Sequence, residues 1–464
     1  MYKKSHFHFV GINGIGMSGI AKILHVQGHT ISGCDLAPEM SNIQELINNQ
    51  CQISNHHNST LCNDASIDTV VYSSDVSYQS PELVAARTRG IKTVQRAVIL
   101  AEIMKSKFSV GIAGSHGKTT TTAMIGHILT QAETDPTIIV GGIMNNMNSN
   151  SRQGFGKYAV AETDESDRSL LLLPVSLAVL TNIDFEHVNI YKSLAEVSNV
   201  FTTYLNNIPF YGKAIVCLDD KNIQAALPNI NSTTITYGTT QESNIQATNI
   251  QLNSDDASFD VINNTNNTFI GHINLPMPSI YNVLNATAAI TTCLELQIPF
   301  NIIKNALESF LGVDRRFTLK GTIIEKNIDI FDDYGHHPTE IHHSLITARR
   351  KCKNKLIVVF QPQRYSRTFH LWHEFIETFA TSNINHLILT DIYPASETPI
   401  KNITGERLAL EIKKLAPHIQ ISYIPFESNL DAIKEKVMSV LSKNDLLLLL
   451  GAGKINKLAE KLLL

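Results

Sequence analysis

The sequence predicts an α/β protein of three Rossmann-like units, the central one a parallel sheet that carries a phosphate-binding loop and a small added β region. Three observations carry this. Apolar runs of strand length alternate with helical patterns from end to end, the signature of parallel sheets with helices on both faces. Two glycine-rich turns, at Gly11–Gly19 and Gly111–Gly117, each follow an apolar run and open a helical pattern. The length, 464 residues, exceeds one ordinary core and suggests about three domains of ~150 residues. Boundaries are expected at 1–106, 107–314 and 315–464.

Composition narrows the function. Hydrophobic residues make up 43% and charged residues 17%, which excludes a largely disordered chain. A net charge of −4 gives no electrostatic case for nucleic acid or an anionic membrane as partner, so small-molecule chemistry is expected. Six cysteines (Cys34, Cys51, Cys62, Cys217, Cys293, Cys352) are scattered without a C-x-x-C pair, as in a cytoplasmic protein with reduced thiols. No apolar run approaches about 18 residues, and the first residues lead into a short strand, so neither export nor a membrane span is expected. A monomer or homodimer is expected.

In the first region Phe7–Val10 reads as a buried strand, followed by Gly11-Ile-Asn-Gly14-Ile-Gly16-Met-Ser-Gly19 and a helical pattern over Ile20–Val26. Gly14, Gly16 and Gly19 satisfy G-x-G-x-x-G, and the next strand, Thr30–Gly33, ends at Asp35, close to the acidic position of a dinucleotide fingerprint. A pyrophosphate on this helix N-terminus is expected, with NAD and a UDP-sugar competing; a tight turn without ligand is the plain alternative. Thr69–Ser73 is a further strand, and it puts Ser73 and Ser74 at a carboxyl end, where ligands of doubly wound sheets lie.

The central region opens on Phe108-Ser-Val-Gly-Ile-Ala-Gly-Ser-His-Gly-Lys-Thr-Thr. This reads as strand, phosphate loop (Gly114, Ser115, His116, Gly117, Lys118, Thr119, Thr120) and a helix through Leu129, a sheet of the P-loop ATPase type. In such a loop backbone N–H groups close around phosphate oxygens, the lysine reaches the outer phosphates and the hydroxyl after it ligates magnesium. The spacing departs from the common pattern, with Ile112 where a glycine is usual. The segment from Gly141 to Gly156 is rich in Asn, Ser and Gly and is expected to be a mobile connection. Tyr158–Ala161 is a strand ending at Glu162-Thr-Asp164-Glu165-Ser-Asp167, and Glu162, at the strand end, is the expected magnesium carboxylate. Leu177–Ile183 is a long strand leading to Asp184-Phe-Glu-His187, where His187 is expected in a metal or phosphate role. Residues 230–274 alternate as antiparallel strands or a decorated insert. Asn282 and Asn285 share a helix face and can meet an adenine edge.

In the last region the pair Arg315-Arg316 follows a loop, a place from which a guanidinium can stabilise a transferring phosphoryl group. Ile328–Phe331 leads to Asp332-Asp333-Tyr334-Gly-His336-His337-Pro338, and Lys355–Phe360 leads to Gln361-Pro-Gln-Arg364-Tyr-Ser-Arg367. Leu387–Thr390 and Asp445–Leu450 complete the alternation. Arg364 and Arg367 suit bidentate binding of a carboxylate.

Together these segments closely resemble the Mur ligases of peptidoglycan synthesis, over all three regions. The resemblance implies ATP-dependent amide bond formation between the lactyl carboxylate of UDP-N-acetylmuramate and L-alanine, through an acyl phosphate, with ADP and phosphate released. It assigns the first glycine motif, with Gly14, Gly16, Asp35, Ser73 and Ser74, to the UDP-sugar. Lys118 would hold the ATP phosphates, Thr119, Glu162 and His187 a Mg2+ (or Mn2+) ion, Asn282 and Asn285 adenine, Arg316 the γ-phosphate and Asp333 the ribose. Tyr334, His336, Arg364 and Arg367 would form the amino-acid end, with Lys118, His187, Arg316 and His336 as the catalytic set. Asn13, Tyr281 and Gln363 depart from the family pattern. An NAD-dependent oxidoreductase and a murein peptide-recycling ligase are the competing readings.

Overall fold

The computed structural model describes residues 3–36, 41–57, 64–188 and 190–464. Three sheets follow one another along the chain. The first has the order β3-β2-β1-β4-β5, built from β1 (His6–Val10), β2 (Thr30–Cys34), β3 (Gln52–Ser54), β4 (Thr69–Tyr72) and β5 (Lys92–Gln95), all parallel. Phe7 and Phe9 on β1 join the core beneath the helix Ile15–Val26, while Val10 and Cys34 pack on the other face against Leu83 and Ala86 of the helix Pro81–Thr88.

The second sheet has ten strands: β6 (Phe108–Ala113), β7 (Thr137–Met144), β8 (Ser149–Arg152), β9 (Tyr158–Glu162), β10 (Leu177–Leu180), β11 (Lys213–Cys217), β12 (Thr234–Gly238), β13 (Ile245–Leu252), β14 (Ala257–Asn263) and β15 (Thr268–Leu275). Its order is β15-β14-β13-β12-β11-β10-β6-β9-β7-β8, parallel from β13 to β7 with β14, β15 and β8 antiparallel. β6 is therefore central, flanked by β10 and β9, and the residues that leave these three strands at their carboxyl ends meet. The third sheet, β16-β17-β21-β18-β19-β20, comprises β16 (Thr318–Ile323), β17 (Ile328–Asp333), β18 (Leu356–Phe360), β19 (His386–Leu389), β20 (Gln420–Tyr423) and β21 (Leu446–Leu450), parallel but for β16. The α/β class and the added antiparallel β region agree with the sequence reading.

Four local expectations change. The helix after β1 starts at Ile15 instead of Ile20, and the glycine in the left-handed turn is Gly11 (φ 81°), whereas Gly14 caps the helix at φ −56°. Gly16 and Gly19 lie inside that helix as close-packing positions: a Cβ on Gly16 would come within 2.5 Å of the Arg96 guanidinium, and one on Gly19 within 3.2 Å of Asn150. The segment expected to be a mobile connection is instead the β7–β8 hairpin, anchored because Asn150, fully buried, donates to the Ile15 carbonyl (2.5 Å) and Ser18 Oγ (3.0 Å) and accepts from Lys22 Nζ (3.1 Å). β10 stops at Leu180 and not Ile183, because Thr181 and Asn182 turn their side chains onto the phosphate loop.

None of the five described cysteines is in a disulfide; Cys62 lies outside the described residues. Among the described residues no helix is long and apolar enough to cross a membrane. Because Asn150 ties the hairpin of the second sheet to the first, Asn150→Ala should destabilise the protein by about 1–3 kcal/mol, the range for orphaned buried hydrogen-bonding groups. Thermal denaturation of the variant at an unchanged midpoint would show that the hairpin is held by other contacts.

Candidate active site

β6 ends at Ala113 and feeds a loop whose last residue, Gly117, has φ 82° and leaves no room for a side chain, because a Cβ would lie 2.5 Å from Asn285 Oδ1. The helix Lys118–Gln131 follows directly. Lys118 Nζ curls back to donate to the carbonyls of Gly114 (2.5 Å) and Ser115 (3.1 Å) and pairs with Glu165 Oε1 at 2.8 Å. Burial alone would lower its pKa, but the carboxylates of Glu165, Glu162 and Glu186 hold it above the ordinary lysine value. Thr119 Oγ1 donates to Glu162 Oε2 (3.0 Å), which also accepts from Gly141 N–H (2.9 Å).

Glu165 binds a second cation, His187, whose Nε2 lies 3.2 Å from Oε1. The two residues of the acidic run thus divide their work: Glu162 faces the threonine, and Glu165 sits between lysine and histidine. His187 holds φ 52°, a left-handed backbone that costs a non-glycine residue of order 1 kcal/mol and persists because the surroundings fix it. Burial would lower its pKa, yet Glu165 and Glu186 raise it. Thr119 Oγ1 and the Glu162 carboxylate are hard oxygen donors beside the phosphate loop, and Glu165 Oε2 is buried without a hydrogen-bond partner. This donor set fits a hard divalent cation such as magnesium.

The third sheet closes over the loop. Arg316 Nη2 reaches Thr119 Oγ1 at 3.3 Å, whereas Arg315 is rooted in its own sheet by Asp332 (3.2 Å) and the Gly451 carbonyl (2.7 Å). Asn285 accepts from Thr121 Oγ1 (3.2 Å) and donates to Asn282 Oδ1 (3.3 Å), and both asparagines line a cleft with His116, Thr120, Arg316 and Asp333. Asp333 is held by Phe317 N–H (2.8 Å), Gly335 N–H (2.8 Å) and Ser344 Oγ (2.9 Å). At the other end, Glu186 Oε1 faces His336 Nε2 (3.5 Å) and Arg367 Nη2 (3.3 Å). Arg367 is buried and gives its other nitrogen to Gln363 (2.5 Å), so its fork is engaged within the protein. Arg364 (φ 68°) makes only long ion pairs, to Glu397 (3.6 Å) and to Asp75 of the first region (3.9 Å). Tyr334 packs edge-on against His336 with ring centroids 5.3 Å apart. Asp35 accepts from Asn13 N–H (2.9 Å) and so braces the first glycine loop, with Ser73 half-buried and Ser74 exposed at the end of β4.

Profiles of the Mur ligase family match nearly the whole chain: the Mur ligase catalytic domain over 6–108, the middle domain over 112–293 and the glutamate ligase domain over 315–453. The chain belongs to the Mur ligase family. A UDP-N-acetylmuramate–L-alanine ligase of Geobacter sp. (strain M21) is 42% identical over 100% of this chain and 98% of its own. The solved UDP-N-acetylmuramate-alanine ligase of Thermotoga maritima superposes with a TM-score of 0.81 at 26% identity, covering 98% of each chain. A murein peptide ligase from Psychrobacter arcticus shares the fold (TM-score 0.73, 21% identity, 99% of this chain and 98% of that one).

Within this Mur ligase, the contacts that sequence reasoning did not reach are those that join the sheets, although His116 itself was expected in the phosphate loop. His116 lies between Asp184 Oδ2 (3.2 Å) on the central sheet and Glu340 Oε1 (3.2 Å) on the third, while Thr339 Oγ1 donates to Asp184 (2.8 Å). Glu340 was legible as the N3 residue of a capping box at His337-Pro338-Thr339-Glu340, though its partner across the interface was not. Of the three departures, Tyr281 stacks on His343 (ring centroids 3.6 Å), Gln363 holds Arg367, and Asn13, outside the left-handed region, keeps an ordinary loop backbone.

Burial would lower the His116 pKa, but its bonds to Asp184 and Glu340 raise it from 6.5 to about 10; Asp184 and Glu340 are held well below the usual carboxylate range. A raised histidine stabilises below its free value and loses that contribution as pH rises through about 10; the depressed carboxylates lose theirs only in strong acid. Docking of the third sheet should therefore hold through neutral pH and loosen near pH 10, seen as a growing radius of gyration in solution scattering. His116→Gln should remove that alkaline transition, and its persistence in the variant would exclude His116 as the cause.

Proposed function

We propose that this chain joins L-alanine to the lactyl carboxylate of UDP-N-acetylmuramate, using ATP, through an acyl phosphate. The observation that carries it is one continuous line of groups, from the phosphate loop (Lys118, Thr119) through Glu165, His187 and Glu186 to His336 and Arg367. Identity of 42% over the full length with a ligase of that name supports the choice of substrates. In this reading residues 1–106 hold the UDP-sugar, with Gly11, Gly14 and Asp35 at the turn; residues 107–314 hold ATP; and residues 315–464 complete the ATP site and bind the amino acid. The enzyme works in the cytoplasm, where ATP and the UDP-sugar are.

The chemistry follows from charge. The lactyl carboxylate oxygen attacks the γ-phosphorus and ADP leaves; the alanine nitrogen then attacks the acyl carbon and phosphate leaves. Lys118 and Arg316 offset the repulsion between the two anions, and Thr119, Glu162 and His187, with Glu165 beside them, would hold a divalent cation there. A bound Mg2+ or Mn2+ ion supplies Lewis-acid stabilisation of phosphoryl charge. The amine must lose a proton, and in this reading His336, 3.5 Å from Glu186, is the group assigned to take it. Arg364, whose guanidinium is less committed than that of Arg367, is the better fork for the free α-carboxylate.

The test is phosphate release from ATP. It should require UDP-N-acetylmuramate and L-alanine together; release with a murein tripeptide and none with alanine would establish the recycling ligase instead. Lys118→Ala should abolish ADP formation while UDP-N-acetylmuramate still binds, and near-normal turnover would remove Lys118 from the phosphate site. Arg364→Lys keeps the charge but loses the fork, so alanine binding should weaken by about 1.5–3 kcal/mol, the range for charge-assisted hydrogen bonds. A Michaelis constant for alanine that stays put while that for the UDP-sugar rises would assign Arg364 to the other substrate.

A further inference from the structure

On the face of the first sheet opposite the helix Ile15–Val26 lies a polar seam that the ligase reaction does not use. His6 and His8 on β1 share the hydroxyl of Ser32 on β2, at 2.7 and 2.9 Å. Two residues along β2, Cys34 is fully buried, and its Sγ is 3.1 Å from Nδ1 of His57. The same Nδ1 is 3.4 Å from Oε1 of Glu82, a fully buried carboxylate on the helix Pro81–Thr88, and Cys34 Sγ is 3.8 Å from that oxygen.

One ring nitrogen thus faces a sulfur and a carboxylate oxygen at once. It carries at most one proton, which cannot point fully at both. Metal–ligand bonds of about 2.3 Å to sulfur and about 2.0–2.2 Å to nitrogen and oxygen, at tetrahedral angles, set the donors roughly 3.3–3.6 Å apart. The observed 3.1, 3.4 and 3.8 Å straddle that range. A second observation points the same way: His8, 2% exposed on the same face, has a buried Nε2 without a hydrogen-bond partner among the described residues.

We propose that Cys34, His57 and Glu82 form a structural site for a borderline-soft divalent transition ion, zinc being the best match to one sulfur, one nitrogen and one oxygen donor. Binding releases the thiol proton and leaves the buried thiolate and carboxylate neutralised by the ion. The site is distinct from the oxygen-rich magnesium position at Thr119. It also adjoins the glycine loop, because the Cys34 carbonyl accepts from Gly11 N–H (2.8 Å) and Ile12 N–H (3.2 Å), so an ion here would stiffen the turn that meets the first ligand.

Cobalt(II) titration of the metal-stripped full-length protein, with excess magnesium to occupy the phosphate side, tests this without recourse to ligase activity. One equivalent should bind with a thiolate-to-cobalt charge-transfer absorption and the visible bands of tetrahedral cobalt, and zinc should displace it. Cys34→Ser should abolish the charge-transfer band, His57→Gln should weaken binding at least tenfold, and Cys51→Ser, which removes the thiol beside His25, should change neither. Should Cys34→Ser fail to fold by circular dichroism, His57→Gln and Glu82→Gln carry the same test. Binding without a thiolate band, a band that survives Cys34→Ser, or one lost in Cys51→Ser would overturn the site.

Discussion

A lysine ammonium buried at the mouth of a phosphate loop needs an anion beside it, and in this Mur ligase Glu165 is that anion. From it the site extends as a chain of alternating sign: Lys118 to Glu165 at 2.8 Å, Glu165 to His187 at 3.2 Å, His187 to Glu186 at 3.9 Å, Glu186 to Arg367 at 3.3 Å. Glu165, His187 and Glu186 each face two groups of opposite sign, while Lys118 and Arg367 end the chain. The chain also explains how anionic ligands are admitted. A phosphate arriving at Lys118 competes with Glu165, and the carboxylate so released lies beside His187 with its second oxygen already without a partner.

An acyl phosphate hydrolyses in water, so the site must close before it forms. The contacts that close it land on groups of the phosphate loop or of the segment after β10. Arg316 meets Thr119, Glu340 meets His116, and Thr339 meets Asp184. The third sheet therefore docks on the same residues that would feel the presence of phosphate, and the first sheet touches the assembly through Asp75 and Arg364.

Much of this was legible in the sequence because strand ends and phosphate loops have local signatures. The apolar run before Gly114, the Gly-Lys-Thr turn and the carboxylate ending β9 each follow from residues within a few positions, and they lie where the periodicity put them. What escaped depended on distant partners. Glu165 and Glu186 are ordinary acidic residues in polar stretches, and only the crossing of β6, β9 and β10 brings them to Lys118, His187 and Arg367. The hairpin Thr137–Arg152 was misread because its Asn and Ser content signals a loop, whereas Asn150 is buried on hydrogen bonds to a helix more than a hundred residues away. In the first glycine-rich turn the left-handed residue is Gly11, one glycine ahead of the triplet Gly14, Gly16 and Gly19, and Gly16 and Gly19 lie inside the helix, kept small by Arg96 and Asn150.

The arginine pair shows how strain and reach combine at the junction of the second and third sheets. Arg315 and Phe317 both hold left-handed backbone, at φ 60° and 50°, and both are fixed by the third sheet: Arg315 through Asp332 and the Gly451 carbonyl, Phe317 through the Asp333 carboxylate. Arg316, between them, has neither tie and extends to Thr119 instead. A guanidinium on a flexible loop would lose rotamer freedom on meeting phosphate; one held between two pinned neighbours loses less. The same Asp333 that pins Phe317 lines the cleft that Asn282, Asn285 and Arg316 also line. The two arginines are thus not interchangeable, although nothing in their chemistry distinguishes them: one is the root, and the other is the reach.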